Sequence, residues 1–292
     1  MVLLNLLLLL GLVRVNTAPA ADPPAAATYQ SSTDLMAVLA TKAAATPPPE
    51  LMSAPVKAAD HYQIHVVRRT RPQDAIAHEV GSEIHSIIDG SATLVTGGTI
   101  VRPADGAGGG RWATIQNGVS RRVTKGDMVL VPPGTPHWYQ DIQGTITYLE
   151  IRFDVGAPSG GPAIYQGHAD LAGVLTARGA AAGAPPMFTA PVTSGDKYQA
   201  NVVRRTSAQG GTAHELGTEV HHILEGSGTF VTGGTLVRPA AGATGIATIQ
   251  GGESRHVSKG DVVLIPAGLP HWYKDTEGPI TYLEVRFEVP VK

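Results

Sequence analysis

The feature that most constrains this chain is that its 292 residues are written twice. Tyr62-Gln63 returns as Tyr198-Gln199 and Asp34-Leu35 as Asp170-Leu171, each 136 residues on. The loop after Arg238 is two residues shorter than the loop after Arg102, so Gly260 answers Gly126 and Tyr282 answers Tyr148 at an offset of 134. Two copies of about 130 residues are too few and too long for a solenoid, so each copy must be a domain. The seam is Ala157-Pro158-Ser159-Gly160-Gly161-Pro162, a short linker by composition. It separates a first unit, 28–156, from a second, 163–292.

Each unit opens on a short helix. Thr33-Asp34 is placed to cap a run from Leu35 to Ala43 whose apolar residues sit at helical spacing, and Pro47-Pro48-Pro49 stops it. From Tyr62 onward the pattern is that of strands: short alternating runs such as Ala92-Thr93-Leu94-Val95-Thr96, punctuated by glycines and closed by Ile146-Thr147-Tyr148-Leu149-Glu150-Ile151-Arg152-Phe153. With 35 glycines and 22 prolines, about ten strands per unit read as all-β, a jelly roll or closed barrel preceded by a short α-helix.

Charge narrows the partners. Lys plus Arg (22) nearly balances Asp plus Glu (24) and there is no basic run, which argues against nucleic acid and anionic membrane surfaces and for a small-molecule partner. The absence of cysteine excludes disulfides, thiolate ligands and cysteine nucleophiles, so a soft-metal site must rest on histidine. At the N-terminus an apolar run over 3–10 precedes Thr17-Ala18-Pro19-Ala20, the pattern of a secretory signal, although no Lys or Arg precedes the run. The reading is a leader over 1–20, an Ala/Pro-rich disordered stretch over 21–27, and a periplasmic or extracellular protein free of the membrane once processed.

His78, Glu83 and His85 fall around one turn and His137 closes another; His214, Glu219, His221 and His271 repeat the set. If both turns sit at the rim of one barrel, three imidazoles and a carboxylate converge, as a divalent transition metal requires. The competing reading is inert, hydrogen-bonded core histidines; matching phase in both halves favours the metal. His61, His65, His168, His222 and His256 are poor ligand candidates, with His222 pointing away from the site. Tyr139 and Tyr273 are in phase with the preceding histidines. Glu150, Arg152, Glu284 and Arg286 read as a solvated outer ladder, because buried unpaired charge is costly.

These residues resemble the cupin superfamily. Its second motif, Gly-x5-Pro-x-Gly-x2-His, is complete at Gly126, Pro132, Gly134 and His137 and again at Gly260, Pro266, Gly268 and His271. Of the first motif, His78-x4-Glu83-x6-Gly90 and His214-x4-Glu219-x6-Gly226 keep the second His, the Glu and the closing Gly, while Ile76 and Thr212 stand where the first His belongs. The resemblance implies two tandem cupin (jelly-roll, double-stranded β-helix) barrels and up to one Fe, Mn, Ni, Cu or Zn ion in each. His85 and His221, two residues beyond the glutamates, share their side of the strand and offer the missing ligand. The expected ligand sets are therefore His78, Glu83, His85, His137 and His214, Glu219, His221, His271, with Glu83 or Glu219 as catalytic base if released. Relatives of this kind include quercetin-type dioxygenases and oxalate-converting enzymes, the latter a weaker fit because the first-motif His pair is broken. The expectation is an exported, oxygenase-type enzyme for a small organic substrate. The alternatives are an isomerase or lyase without oxygen, or a sugar- or polyphenol-binding protein. Monomer and homodimer are both allowed.

Overall fold

The computed structural model describes residues 25–103 and 112–289. The leader and residues 21–24 of the stretch read as disordered lie outside the described residues, as does the whole glycine-rich run 106–110. Residues 25–27 carry no regular structure, and Ala27 packs against the core of the second barrel.

The first unit runs β1 (Thr28–Gln30), α1 (Ser32–Ala43), β2 (Leu51–Ala59), β3 (Tyr62–Arg69), β4 (Ser82–Thr96), β5 (Thr99–Val101), β6 (Thr114–Gln116), β7 (Val119–Thr124), β8 (Met128–Val131), β9 (His137–Gln140) and β10 (Ile146–Phe153). The second begins with β11 (Ile164–Gln166), α2 (His168–Ala180), β12 (Met187–Gly195), β13 (Tyr198–Arg205), β14 (Thr218–Glu225) and β15 (Ser227–Thr232). It ends with β16 (Thr235–Val237), β17 (Thr248–Gln250), β18 (Glu253–Ser258), β19 (Val262–Ile265), β20 (His271–Thr276) and β21 (Ile280–Phe287). The all-β expectation holds, each barrel preceded by one helix. The helix cap differs from the one expected: Ser31, not Thr33-Asp34, stands at the N-cap of α1, its Oγ accepting from the Asp34 N–H at 3.0 Å.

The two units exchange their leading strands. One sheet has the order β1-β19-β14-β21-β13-β12, so β1 of the first unit pairs with β19 of the second; the other, β11-β8-β4-β10-β3-β2, takes β11 onto β8. Two buried aspartates fasten the exchange. Asp127 accepts from the Tyr165 hydroxyl (2.9 Å) and the His168 N–H (2.8 Å), and Asp261 accepts from the Tyr29 hydroxyl (2.9 Å) and the Ser32 N–H (2.8 Å).

Strand alternation divides the apolar residues among three cores. Val67, Ile87, Leu94, Val129, Tyr139 and Tyr148 fill the first barrel, and Val203, Ile223, Phe230, Val263, Tyr273 and Tyr282 the second. A third core lies between the units, where the outer faces of the two sheets meet: Ile84, Leu149, Ile151 and Phe153 against Val220, Leu283, Val285 and Phe287. The rings of Phe153 and Phe287 stack there with centroids 5.0 Å apart. The outer face of these sheets is therefore not a solvent face.

Candidate metal centre

Main-chain bonds bring the two motifs together. Ile76, at the position of the missing first-motif His, forms an antiparallel bridge with His137: its N–H donates to the His137 carbonyl at 3.1 Å and its carbonyl accepts from the His137 N–H at 2.8 Å. Gly134, at φ +71°, turns the second motif so that its N–H donates to the His78 carbonyl (2.6 Å). Thr212 with His271, and Gly268 with His214, repeat both contacts. Gly90, the closing glycine of the first motif, has φ +79°, and a Cβ there would overlap the Thr145 carbonyl, so only glycine fits. In the first unit the linker also lies along this rim, the Gly160 N–H donating to the Pro133 carbonyl at 2.6 Å and Thr135 Oγ1 to the Gly161 carbonyl at 3.1 Å.

The expected side chains do converge, on Glu83. Nε2 of His78, His85 and His137 lie 3.3, 3.2 and 3.5 Å from its carboxylate oxygens. His78, Glu83 and His137 have ligand atoms close enough to share one ion, as do Glu83, His85 and Glu150, so two overlapping donor triads share the Glu83 carboxylate. The second barrel repeats them as His214, Glu219, His271 and Glu219, His221, Glu284. His78 sits at the mouth, with its side chain 30 % exposed, whereas Glu83, His85 and His137 are buried. His85 is thus the deeper imidazole.

Tautomers are set from behind. His137 Nδ1 lies 3.1 Å from the Thr135 carbonyl, and His271 Nδ1 3.1 Å from that of Leu269, so Nδ1 carries the proton and Nε2 keeps its lone pair for the site. Tyr139 Oη lies 2.9 Å from His85 Nδ1, and Tyr273 Oη 3.3 Å from His221 Nδ1. Burial pushes His137 and His271 down to about 4, which keeps both rings neutral. For Glu83 burial works upward, but the hydrogen bond with His85 and the neighbouring imidazoles outweigh it and hold the carboxyl below its usual range. Glu219, with Arg286 added to the same causes, falls to about 2.

Glu150 and Arg152 face inward, against the outer-ladder expectation, and Glu284 and Arg286 do the same. Leu149, Ile151 and Phe153 on the other face of β10 belong to the core between the units, so alternation turns Glu150 and Arg152 into the barrel. Their burial is compensated. Arg152 Nη2 donates to Glu150 Oε1 (3.2 Å), Arg152 Nε lies 3.3 Å from Glu83 Oε1, and His65 Nε2 lies 2.9 Å from Glu150 Oε1. His65, expected at the surface, therefore belongs to the network around the site; Asn201 replaces it in the second unit. The hydrogen bond with His65 and the charges of His85 and Arg152 overcome burial and hold Glu150 far below the ordinary carboxylate range. The second unit differs in one further contact: Arg286 donates to Glu219 (2.9 Å) and also places Nη2 3.1 Å from His214 Nε2. His222 points away from the site, as expected, and is buried. Sequence reading passed over Arg69 and Arg205, which donate from Nε to Tyr148 and Tyr282 (2.9 Å each) beneath the histidines; only their repetition in both halves marks them.

Glu83 Oε1 is buried and accepts no hydrogen bond, with Arg152 Nε and His78 Nε2 each 3.3 Å away, while His137 holds its Nε2 3.5 Å from Oε2. A buried carboxylate oxygen without a hydrogen bond, with imidazole Nε2 atoms gathered around its carboxylate, suits a divalent transition metal.

No protein-family model and no curated protein matches the chain. Solved structures do. A salicylate 1,2-dioxygenase from Pseudaminobacter salicylatoxidans is similar over 89 % of this chain and 84 % of its own, at 14 % identity and a TM-score of 0.59. A putative glyoxylate-induced protein from Pseudomonas aeruginosa is similar over 94 % and 95 %, at 11 % identity and a TM-score of 0.54. A cupin 2 conserved barrel domain protein from Leptotrichia buccalis is similar over 82 % and 89 %, at 11 % and 0.51. The duplicated motifs, the paired barrels and these likenesses make the chain a bicupin in fold: two cupin barrels in tandem that exchange their leading strands.

Proposed function

We propose that the chain is an exported, metal-dependent enzyme of the oxygenase type acting on a small organic molecule. The observation that carries the reading is the convergence of three imidazole Nε2 atoms on one buried carboxylate, present in both barrels. His78, Glu83, His85 and His137 hold the metal in the first barrel and His214, Glu219, His221 and His271 in the second. A divalent transition ion held there supplies Lewis acidity for a substrate oxygen and, if redox-active, a place for dioxygen.

The chain's own residues do the rest. Tyr139 and the Thr135 carbonyl fix two imidazoles, so the donor set is organised before substrate arrives. Glu83 and Glu219 act as ligands: held well below the usual range, they are poor proton acceptors near neutral pH. His78, exposed at the mouth, and the linker beside it face the entering substrate. The salicylate dioxygenase neighbour supports a hydroxylated aromatic acid as the substrate class, since adjacent oxygens suit bidentate binding. In the second barrel Arg286 engages the His214 nitrogen that a metal needs, which favours the first barrel as the catalytic one. The leader-like N-terminus supports export, and monomer or homodimer both fit.

The test is dioxygen uptake by the metal-reconstituted protein, without its leader, on a panel of hydroxybenzoates, beside His137→Ala. Stoichiometric uptake lost in the variant is the expected result. Product without oxygen uptake would favour the isomerase or lyase alternative, and substrate recovered unchanged would favour a binding protein.

A further inference from the structure

The two halves differ sharply at one place outside the barrels. Between α2 and the outer faces of both sheets lies a cavity of about 870 Å³, within the range of roughly 300–1,000 Å³ typical of small-molecule sites. Its floor is apolar, built by Leu171 and Leu175 of α2 with Met128, Phe188, Val202 and Leu224 from the core between the units. The pseudo-equivalent place beside α1 shows what a filled version looks like. There Met36 projects from the helix and its Sδ lies 3.6 Å from Arg68 Nη2. At the matching position α2 carries Ala172, and Gly179 stands for Ala43, so the helix has lost the side chain that fills the gap. Leu39 is fully buried (0 %), while its counterpart Leu175 keeps 7 % exposure. Arg204, the counterpart of Arg68, keeps the bond to the matching threonine (Thr281 at 3.2 Å, as Arg68 to Thr147 at 3.0 Å) but has Glu225 at 3.0 Å where Arg68 has the methionine sulfur.

The polar groups of the lining are unbalanced. Lys125, Lys259 and Arg204 bring three positive charges against the single carboxylate of Glu225, which is already paired with Arg204. His222, where the first unit has Ser86, lines the same space, 3 % exposed, and its Nδ1 is buried without a hydrogen-bond partner. A buried polar atom with no partner is costly unless something else supplies one.

We propose that this cavity is a second binding site, separate from the barrels, for a small amphipathic acid: an apolar body lying along α2 and one anionic head group held by Lys125, Lys259 and Arg204. Apolar burial supplies the affinity and the three cations supply the choice of charge. The site uses none of the barrel ligands, so it works equally in metal-free protein, and its failure leaves the metal reading untouched.

Calorimetric titration of the whole chain with decanoate, with decyltrimethylammonium as the same tail bearing the opposite charge, tests the proposal. Decanoate binds once per chain, with or without chelator, and the cationic amphiphile binds at least about tenfold more weakly. Ala172→Met, which restores the Met36 arrangement, abolishes decanoate binding while its melting temperature holds or rises. Lys125→Gln with Lys259→Gln weakens decanoate and not the cation, and decides the matter should the methionine variant fold poorly. Equal binding of the two amphiphiles, no binding of decanoate, or undiminished binding in a folded Ala172→Met protein would overturn it.

Discussion

Replacing Arg152 by methionine separates what holds the first site together without metal from what holds it with metal. The guanidinium lies 3.3 Å from Glu83 and 3.2 Å from Glu150. At an effective dielectric of about 20, each contact represents roughly 5 kcal/mol of gross attraction, most of it offset by the desolvation of the charges. Removing one partner of a buried pair costs about 3–5 kcal/mol, and because Arg152 keeps 24 % side-chain exposure the lower end, about 3 kcal/mol, applies. Methionine preserves much of the apolar stem, so the loss is electrostatic rather than steric. In metal-loaded protein the ion itself compensates Glu83, so what remains is the loss of the partly exposed pair with Glu150, about 1 kcal/mol. By the thermodynamic cycle the variant must then bind metal about 2 kcal/mol, or roughly 30-fold, more tightly than the natural chain. Urea unfolding of both proteins, with saturating metal and with chelator, gives the two stability differences, and competition against a coloured chelator gives the affinities. Equal destabilisation in the two states, with unchanged affinity, would refute the premise that Arg152 and the metal compete for the same carboxylate.

Tyr139→Phe removes the hydroxyl 2.9 Å from His85 Nδ1, and metal affinity of the first site should fall about 10–100-fold; Tyr273→Phe, whose contact with His221 is 3.3 Å, should cost less. The same competition assay checks this ordering, and an unaltered first-site affinity would remove His85 from the ligand set. Tyr29 and Tyr165 are pushed up to about 12 by burial and by their bonds to Asp261 and Asp127. Because the folded value lies above the ordinary 10, the stability each contributes is complete below pH 10 and is lost as pH rises through 12. Melting temperatures measured across that window should fall less steeply in a Tyr29→Phe, Tyr165→Phe protein; an identical slope would show that the exchanged strands are not fastened through these hydroxyls.

Much of this protein was legible without coordinates, because the relevant signals are local. A Glu and a His two residues apart share a face of any strand, and a Pro-x-Gly turn places the following His at its end, so Glu83, His85 and His137 could be grouped from spacing and phase. The same alternation correctly put Glu150 and Arg152 on one side of β10, yet it could not say which side met water. That depended on the second unit, whose sheet covers the outer face of the first and forces the charges inward. His65 was misplaced for the same reason, since its partner Glu150 is 85 residues away.

The sequence by itself determined the duplication, the all-β barrels with their leading helices, and the eight ligand candidates. Only the tertiary structure decided the exchange of β1 and β11, the core shared between the units, the arginine seated on each glutamate and the cavity beside α2. Periodicity records which residues lie together on an element, whereas the meeting of two surfaces is a property of both, and no single stretch of chain carries it.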